Sequence, residues 1–409
     1  MKRNWRSLVA GFIQNTVAYA LPVFLQQFVV YPLMASKLGV EANGQFLALI
    51  ALNYFVIGIT VSVLSSVRLL RHTEYADIQE KGDFNLLLLV FAVINAVTVI
   101  GGTIYYGGRS VSPLEILLSV VVVLLFVYQN YIVVQYRVEL RFKNILINNL
   151  LLCIGYLLGL GVMYFIFPHW QMVFIVPYAI TAVYDYTHTD YIREPIRTTP
   201  LFRGTLKKYF VLLSSSLLAS MVTYGDRLLL YPLMDGATVS IFTTAQLVGK
   251  ILQMVATPVS GFLLAHMANQ KKFQFQIKWY YLMAFAGVCI ICYLGMLVIS
   301  RPLIGFLYAD WAEQSMQYVP LTVVNGVLHM VVVMLNVFVL RFCNTKWQLV
   351  ESVVYLAVYM VAGFTLLQFF GLWGFCLGII LASCMELMVV LIALLKEKVL
   401  VFAGVSRKE

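Results

Sequence analysis

Three ionisable side chains stand where a membrane-embedded chain tolerates them least: Asp226, Arg227 and Lys250, each inside a long apolar run. A charge at the centre of a membrane helix costs roughly 2.5–3.5 kcal/mol on insertion scales, so it faces a polar interior or a partner. Polar neighbours share the faces of these charges. Ser216, Ser220, Thr223 and Arg227 follow the spacing i, i+4, i+7, i+11, and Gln246, Lys250, Gln253 and Thr257 repeat it in the next run. Residues at these intervals line one side of a helix. Asn325, His329 and Asn336 share a face farther along. Two cations among neutral hydrogen-bonding groups suit an anionic ligand such as a pyrophosphate, because an unpaired cation in a low dielectric gains most from a mobile anion. The neutral residues equally suit hydrogen bonds between helices, and Asp226 is placed to neutralise one of the cations.

The elements that must position these residues are membrane helices. Of the 409 residues, 62% are hydrophobic and only 11% charged, with a mean hydropathy of +0.89. A soluble globule of that composition could not cover its surface. A spanning helix needs about 20 mostly apolar residues. Twelve runs qualify, near 8–35, 43–67, 84–106, 113–136, 145–167, 170–186, 209–234, 238–266, 279–300, 318–340, 347–369 and 372–395. The expected fold is an all-α polytopic membrane protein.

Lys and Arg set the orientation. They fall at the N-terminus (Lys2, Arg3, Arg6) and then in alternate loops: Arg68, Arg71 and Lys81; Arg137, Arg141 and Lys143; Arg193, Arg197, Arg203, Lys207 and Lys208; Lys271, Lys272 and Lys278; Arg341 and Lys346; and the C-terminal Lys396, Lys398, Arg407 and Lys408. The opposite loops hold only Lys37, Arg109 and Arg301. By the positive-inside bias both termini are cytoplasmic. The net charge of +10 is accounted for by orientation, with no nucleic acid required. The longest inner loop, 187–208, is a basic connector suited to the inner leaflet and its anionic lipids. The longest outer loop, about 302–317, leaves no room for an external domain.

The chain also echoes itself at an offset of 200 residues. Tyr31-Pro32-Leu33-Met34 recurs as Tyr231-Pro232-Leu233-Met234, and Leu140-Arg141-Phe142-x-Asn144 as Leu340-Arg341-Phe342-x-Asn344. Six spans per half return the chain to its starting side, so the repeats are parallel. The expected organisation is an N-terminal six-helix lobe over 1–186, the connector 187–208, a C-terminal lobe over 209–395 and a cytoplasmic tail over 396–409. Matched positions differ in charge: Gln26 and Gln27 stand against Asp226 and Arg227, Asn15 and Thr16 against Ser215 and Ser216, and Gln129 against His329. A cavity built from both halves is asymmetric and net basic. Glu351 and Glu386, towards the inner ends of the last two spans, suit either proton or ion sites or pairing with loop lysines, and pairing is the expectation.

Other chemistries lack their motifs. There is no G-x-x-x-x-G-K-[ST] loop, no H-E-x-x-H and no G-x-S-x-G. Cys289-x-x-Cys292 lies in apolar surroundings with no second pair, so no metal is expected.

The passage from Asp226-Arg227-Leu228-Leu229-Leu230 through Ile241-Phe242-Thr243-Thr244-Ala245 to Lys250 resembles polysaccharide flippases of the Wzx type, in the superfamily that also holds the MATE exporters and the lipid II flippases. Tyr31, Leu38-Gly39 and Gly44-Gln45-Phe46 add to the likeness, and the plan of twelve spans in two lobes covers nearly the whole chain. The resemblance implies a two-lobe, MATE-like transporter that alternates between inward- and outward-open states, in a bacterial cytoplasmic (inner) membrane. Its substrate would be an undecaprenyl-pyrophosphate-linked oligosaccharide. Its partners would be that glycan, membrane lipids and other polysaccharide assembly proteins. It would hold no cofactor and would couple to a Na+ or H+ gradient. Arg227 and Lys250 carry over as cavity cations, with Asp226, Gln26, Gln27, Gln246, Gln253, Thr223, His329 and Asn325 beside them. The first span has no acidic residue where drug exporters of the superfamily carry one. Two other readings compete: a cation-coupled multidrug exporter with Asp226 as its coupling carboxylate, and a membrane-embedded glycan polymerase or ligase. The second of these needs a sizeable outer loop.

Overall fold

The structure, a computed structural model, describes residues 20–78, 82–108, 111–267, 275–277, 279–344, 346–397 and 399–402. The start of the first span with Asn15 and Thr16, and the basic residues Lys2, Arg3, Arg6, Lys81, Arg109, Lys271, Lys272, Lys278, Lys398, Arg407 and Lys408, lie outside the described residues. The chain is an all-α polytopic membrane protein. Eight helices among the described residues are long and apolar enough to cross a membrane. Among the described residues the strands are a parallel pair of three residues each, β1 (Phe275–Ile277) and β2 (Leu400–Phe402). Contacts divide the chain into two compact units, 1–239 and 240–409.

The first unit holds α1 (Tyr31–Leu38), α2 (Val40–Ile59), α3 (Val61–Ile78), α4 (Asp83–Gly107), α5 (Pro113–Val138), α6 (Phe142–Phe165), α7 (Met172–His188), α8 (Phe202–Leu233) and the first turn of α9 (Gly236–Met267). Pro32 has no N–H to give, and the turn before it widens. Gln26–Val30 is a π-turn, in which Tyr31 N–H reaches back to Gln26 O. The expected second span is α2 and α3 together, broken at Thr60 (φ −107°, ψ −81°). That break is held by Asn95 of α4, whose Nδ2 donates to Thr60 Oγ1 at 2.9 Å. The glycine pair Gly155-x-x-x-Gly159 of α6 meets α7 closely: a Cβ at Gly159 would lie 2.9 Å from the Met172 carbonyl oxygen. α8 is not among the eight helices long and apolar enough to cross a membrane; three consecutive serines and the Asp226–Arg227 pair lower its hydropathy.

The connector is pinned rather than loosely laid down. Gln135 Oε1 accepts from Asp190 N and Tyr191 N, Asn85 Nδ2 donates to the carbonyls of Tyr191 and Glu194, and Asp83 accepts from Thr199 N and Oγ1. Arg68, counted above only as an orientation charge, is buried. It donates to both Glu194 oxygens at 2.7 Å and to Tyr131 Oη, and its guanidinium lies 3.3 Å from the centre of the Tyr191 ring.

The second unit holds the rest of α9, α10 (Trp279–Leu307), α11 (Ala312–Met316), α12 (Val319–Phe342) and α13 (Lys346–Lys396). α13 comprises the last two expected spans, which meet at Gly371, where φ of +60° needs glycine. α10 runs to Leu307, so the outer loop expected over 302–317 is shorter and partly helical. Val248, Leu252, Met296, Val319 and Val323 form its core. α9 and α12 approach through two glycines: a Cβ at Gly326 would lie 2.6 Å from Gly249 Cα.

The repeated motifs mark similar places with different backbone. Leu140 sits in a turn at φ +54°, whereas Leu340, Arg341 and Phe342 finish α12. Tyr31 and Pro32 open α1, whereas Tyr231 and Pro232 lie in the last turn of α8.

Candidate functional site

In the first unit, α8 packs along α2 and α3 and carries Asp226 and Arg227 in its buried face. Arg227 is only 8% exposed, and its Nε has no hydrogen-bond partner among the described residues. Tyr224 stands one turn before it on the same helix. The π-turn delivers Gln26 to the same group, where its Nε2 donates to Tyr31 Oη and Tyr54 Oη, each at 2.9 Å. Tyr54 stacks on Tyr224 at 6.0 Å and on Phe126 at 5.4 Å. Phe126 in turn meets Tyr178 at 4.4 Å, and Tyr156 and Tyr178 join through their hydroxyls at 3.4 Å. Residue spacing on single helices did not reveal this set of tyrosines, because it draws on five different segments.

The other residues expected here play different parts. Asp226 Oδ1 accepts from Arg227 N at 2.8 Å, so the carboxylate turns to the backbone. No ion pair joins it to the Arg227 guanidinium. Gln27 is half-buried, while Thr223 is exposed and its hydroxyl donates to Ala219 O at 2.8 Å.

The second unit holds the remaining five. Lys250 is half-buried on α9 beside Gly249, with Gln246 and Gln253 also half-buried. Gln246 Oε1 is buried without a partner among the described residues. Asn325 and His329 of α12 are committed to α13: Ser383 Oγ donates to Asn325 Oδ1 at 2.6 Å, and His329 Nδ1 lies 3.5 Å from Glu386 Oε2. Asn336, on the same face, donates to Glu351 Oε1 at 2.5 Å. The expected pairing of both glutamates with loop lysines is therefore corrected. They lie at 6% and 8% exposure, and buried carboxylates take their partners from the neighbouring helix.

The first unit has a related network that the sequence reading missed. Gln129 Nε2 donates to Asn148 Oδ1 at 2.7 Å, and Asn148 Nδ2 to Asp185 Oδ1 at 2.7 Å. Tyr136 Oη donates to the same Asp185 oxygen at 2.8 Å. Gln129 and Tyr136 are the offset partners of His329 and Asn336. That register was the signal available in the sequence.

No protein-family model and no curated protein sequence matches the chain. Solved structures do resemble it. The lipid II flippase MurJ in an inward closed conformation matches with a TM-score of 0.73 at 14% identity, covering 96% of this chain and 88% of that one. An inward-facing multidrug resistance MATE family transporter of the MOP superfamily matches at 0.65 and 13% identity, covering 94% and 98%. The Vibrio cholerae MATE transporter VcmN in its bent form matches at 0.53 and 13% identity, covering 96% and 97%. The chain therefore has the fold shared by the lipid II flippase MurJ and the MATE transporters.

Proposed function

We propose that the chain is a flippase that moves undecaprenyl-pyrophosphate-linked oligosaccharide repeat units from the cytoplasmic to the outer leaflet by alternating access, for the synthesis of O-antigen, capsule or exopolysaccharide. The observation that carries this reading is Arg227: a buried guanidinium whose Nε has no acceptor among the described residues, one helical turn from Tyr224. Such a group gains from an anionic ligand that can leave again. Lys250 gives the second unit a cation of its own, and the neutral Gln26 and Gln27 in the first unit and Gln246 and Gln253 in the second offer the sugars hydrogen bonds. The lipid tail stays in the bilayer while the head group crosses. In this reading the two six-helix lobes are 1–186 and 209–395, both termini are cytoplasmic in a bacterial inner membrane, and no catalytic step occurs. The chain works beside other polysaccharide assembly proteins.

A Na+ or H+ gradient supplies the drive, and the buried Glu351 and Glu386 beside His329 are the groups suited to take up a cation. The same carboxylates favour a second reading, a cation-coupled multidrug exporter of the MATE type. Arg227 separates the two, because a cationic drug is repelled where a pyrophosphate is held. The test uses cells deleted for the chain and complemented with Arg227→Ala or Lys250→Ala. The flippase reading expects normal protein levels, loss of surface glycan and accumulation of lipid-linked repeat units on the inner leaflet. Full glycan display in both variants contradicts it.

A further inference from the structure

A pocket of about 190 Å³ opens in the first unit where the ends of α2, α4, α5 and α7 meet, opposite the basic loops. Gln45, Thr103, Glu115, His169, Trp170 and Gln171 give it its chemistry. It is far larger than the roughly 10–15 Å³ that a single water needs. Two of its polar groups lack partners among the described residues: Gln171 Oε1, on a side chain 2% exposed, and Thr103 Oγ1, on one 3% exposed. Gln171 is held from behind, its Nε2 reaching Ser119 Oγ at 3.4 Å. Trp170 is half-exposed, with its ring backed by Phe46 at 5.2 Å and Phe174 at 6.0 Å. Glu115 is fixed by the capping box that starts α5, accepting from Ser112 N at 3.1 Å through Oε2.

These groups select a ligand class. Gln171 Oε1 requires a donor, and Thr103 Oγ1 takes either a donor or an acceptor. The indole offers an apolar face, on which the C–H side of a sugar ring packs. Among the described residues neither Lys nor Arg lines the pocket, and Glu115 brings a carboxylate, so phosphates and uronic acids are disfavoured. We infer that this pocket binds one neutral hexose-type sugar ring, with Trp170 as its platform and Gln171 Oε1 accepting from a ring hydroxyl. As a station for the head group of an emerging glycan, the pocket rests on the flippase reading above. The binding itself does not.

The test is titration of the purified full chain in nanodiscs with methyl glucoside, N-acetylglucosamine, glucuronate and inorganic phosphate, read by saturation-transfer NMR and by tryptophan emission. Saturable binding of at least one neutral sugar is expected, with at least tenfold weaker binding of glucuronate and none of phosphate. Gln171→Leu and Trp170→Ala should each weaken neutral-sugar binding at least tenfold. Trp170→Phe should retain it but lose the emission change. Three results overturn the inference: no saturable binding by the wild-type chain, a pocket that takes glucuronate equally well, or binding unmoved in Gln171→Leu and Trp170→Ala. Sugar binding without glycan export removes the flippase reading and leaves the pocket. Export without sugar binding does the reverse.

Discussion

His329 Nδ1 lies 3.5 Å from Glu386 Oε2, whereas Gln129, its partner at the 200-residue offset, is linked to Asp185 by Asn148. Each unit thus buries a carboxylate on a late helix and holds it from the helix that leads to the second repeated motif. Only the second unit sets an imidazole directly against it, with Glu351 held by Asn336 on the same face. The scaffold is repeated, and the titratable chemistry is not.

If this group takes up the coupling cation, His329→Gln, which restores the residue of the first half, and Glu386→Gln should leave expression and thermal stability close to wild type. Both should abolish the acceleration of transport by an imposed ion gradient in vesicles. Gradient dependence equal to wild type in both variants would sink the coupling role.

The connector should be a stability element. Removing one member of a buried, hydrogen-bonded ion pair costs about 3–5 kcal/mol, because the other charge is left uncompensated. Arg68→Ala and Glu194→Ala should therefore each lower the thermal unfolding midpoint strongly in detergent. The double variant Arg68→Met with Glu194→Leu should recover most of the loss. Additive losses in the double variant would show that the pair is not coupled.

Close approach of α9 and α12 should fail when a side chain is inserted. A methyl at Gly326 would lie 2.6 Å from Gly249 Cα, well inside van der Waals contact. Gly326→Ala is expected to cost about 1–3 kcal/mol through forced separation of the helices. A midpoint unchanged from wild type contradicts that packing. Since Gly249 precedes Lys250, the same variant should also depress transport.

The all-α, membrane-spanning character of the chain was legible in its sequence, because long apolar runs are a signal that each residue carries locally. The sequence also marked Arg227, because a cation inside an apolar helix is conspicuous on its own. Contacts between helices were not legible. The pairing of Glu386 with His329, the burial of Arg68 against Glu194, and the tyrosines that meet Gln26 all depend on which helices become neighbours. Spacing along one helix shows a shared face but not what covers it: it did not show that Asn325 meets Ser383 and His329 faces Glu386, both on α13.

The central claim is that Arg227 receives the anionic head group of a lipid-linked glycan. The most direct measurement is leaflet-resolved translocation of a fluorescent undecaprenyl-pyrophosphate-linked saccharide in proteoliposomes. The account predicts movement by the wild-type chain above protein-free vesicles, and at least a tenfold loss in Arg227→Gln with the protein still folded. It is contradicted by a wild-type chain that leaves the lipid-linked saccharide unmoved while exchanging a cationic dye for protons or sodium ions.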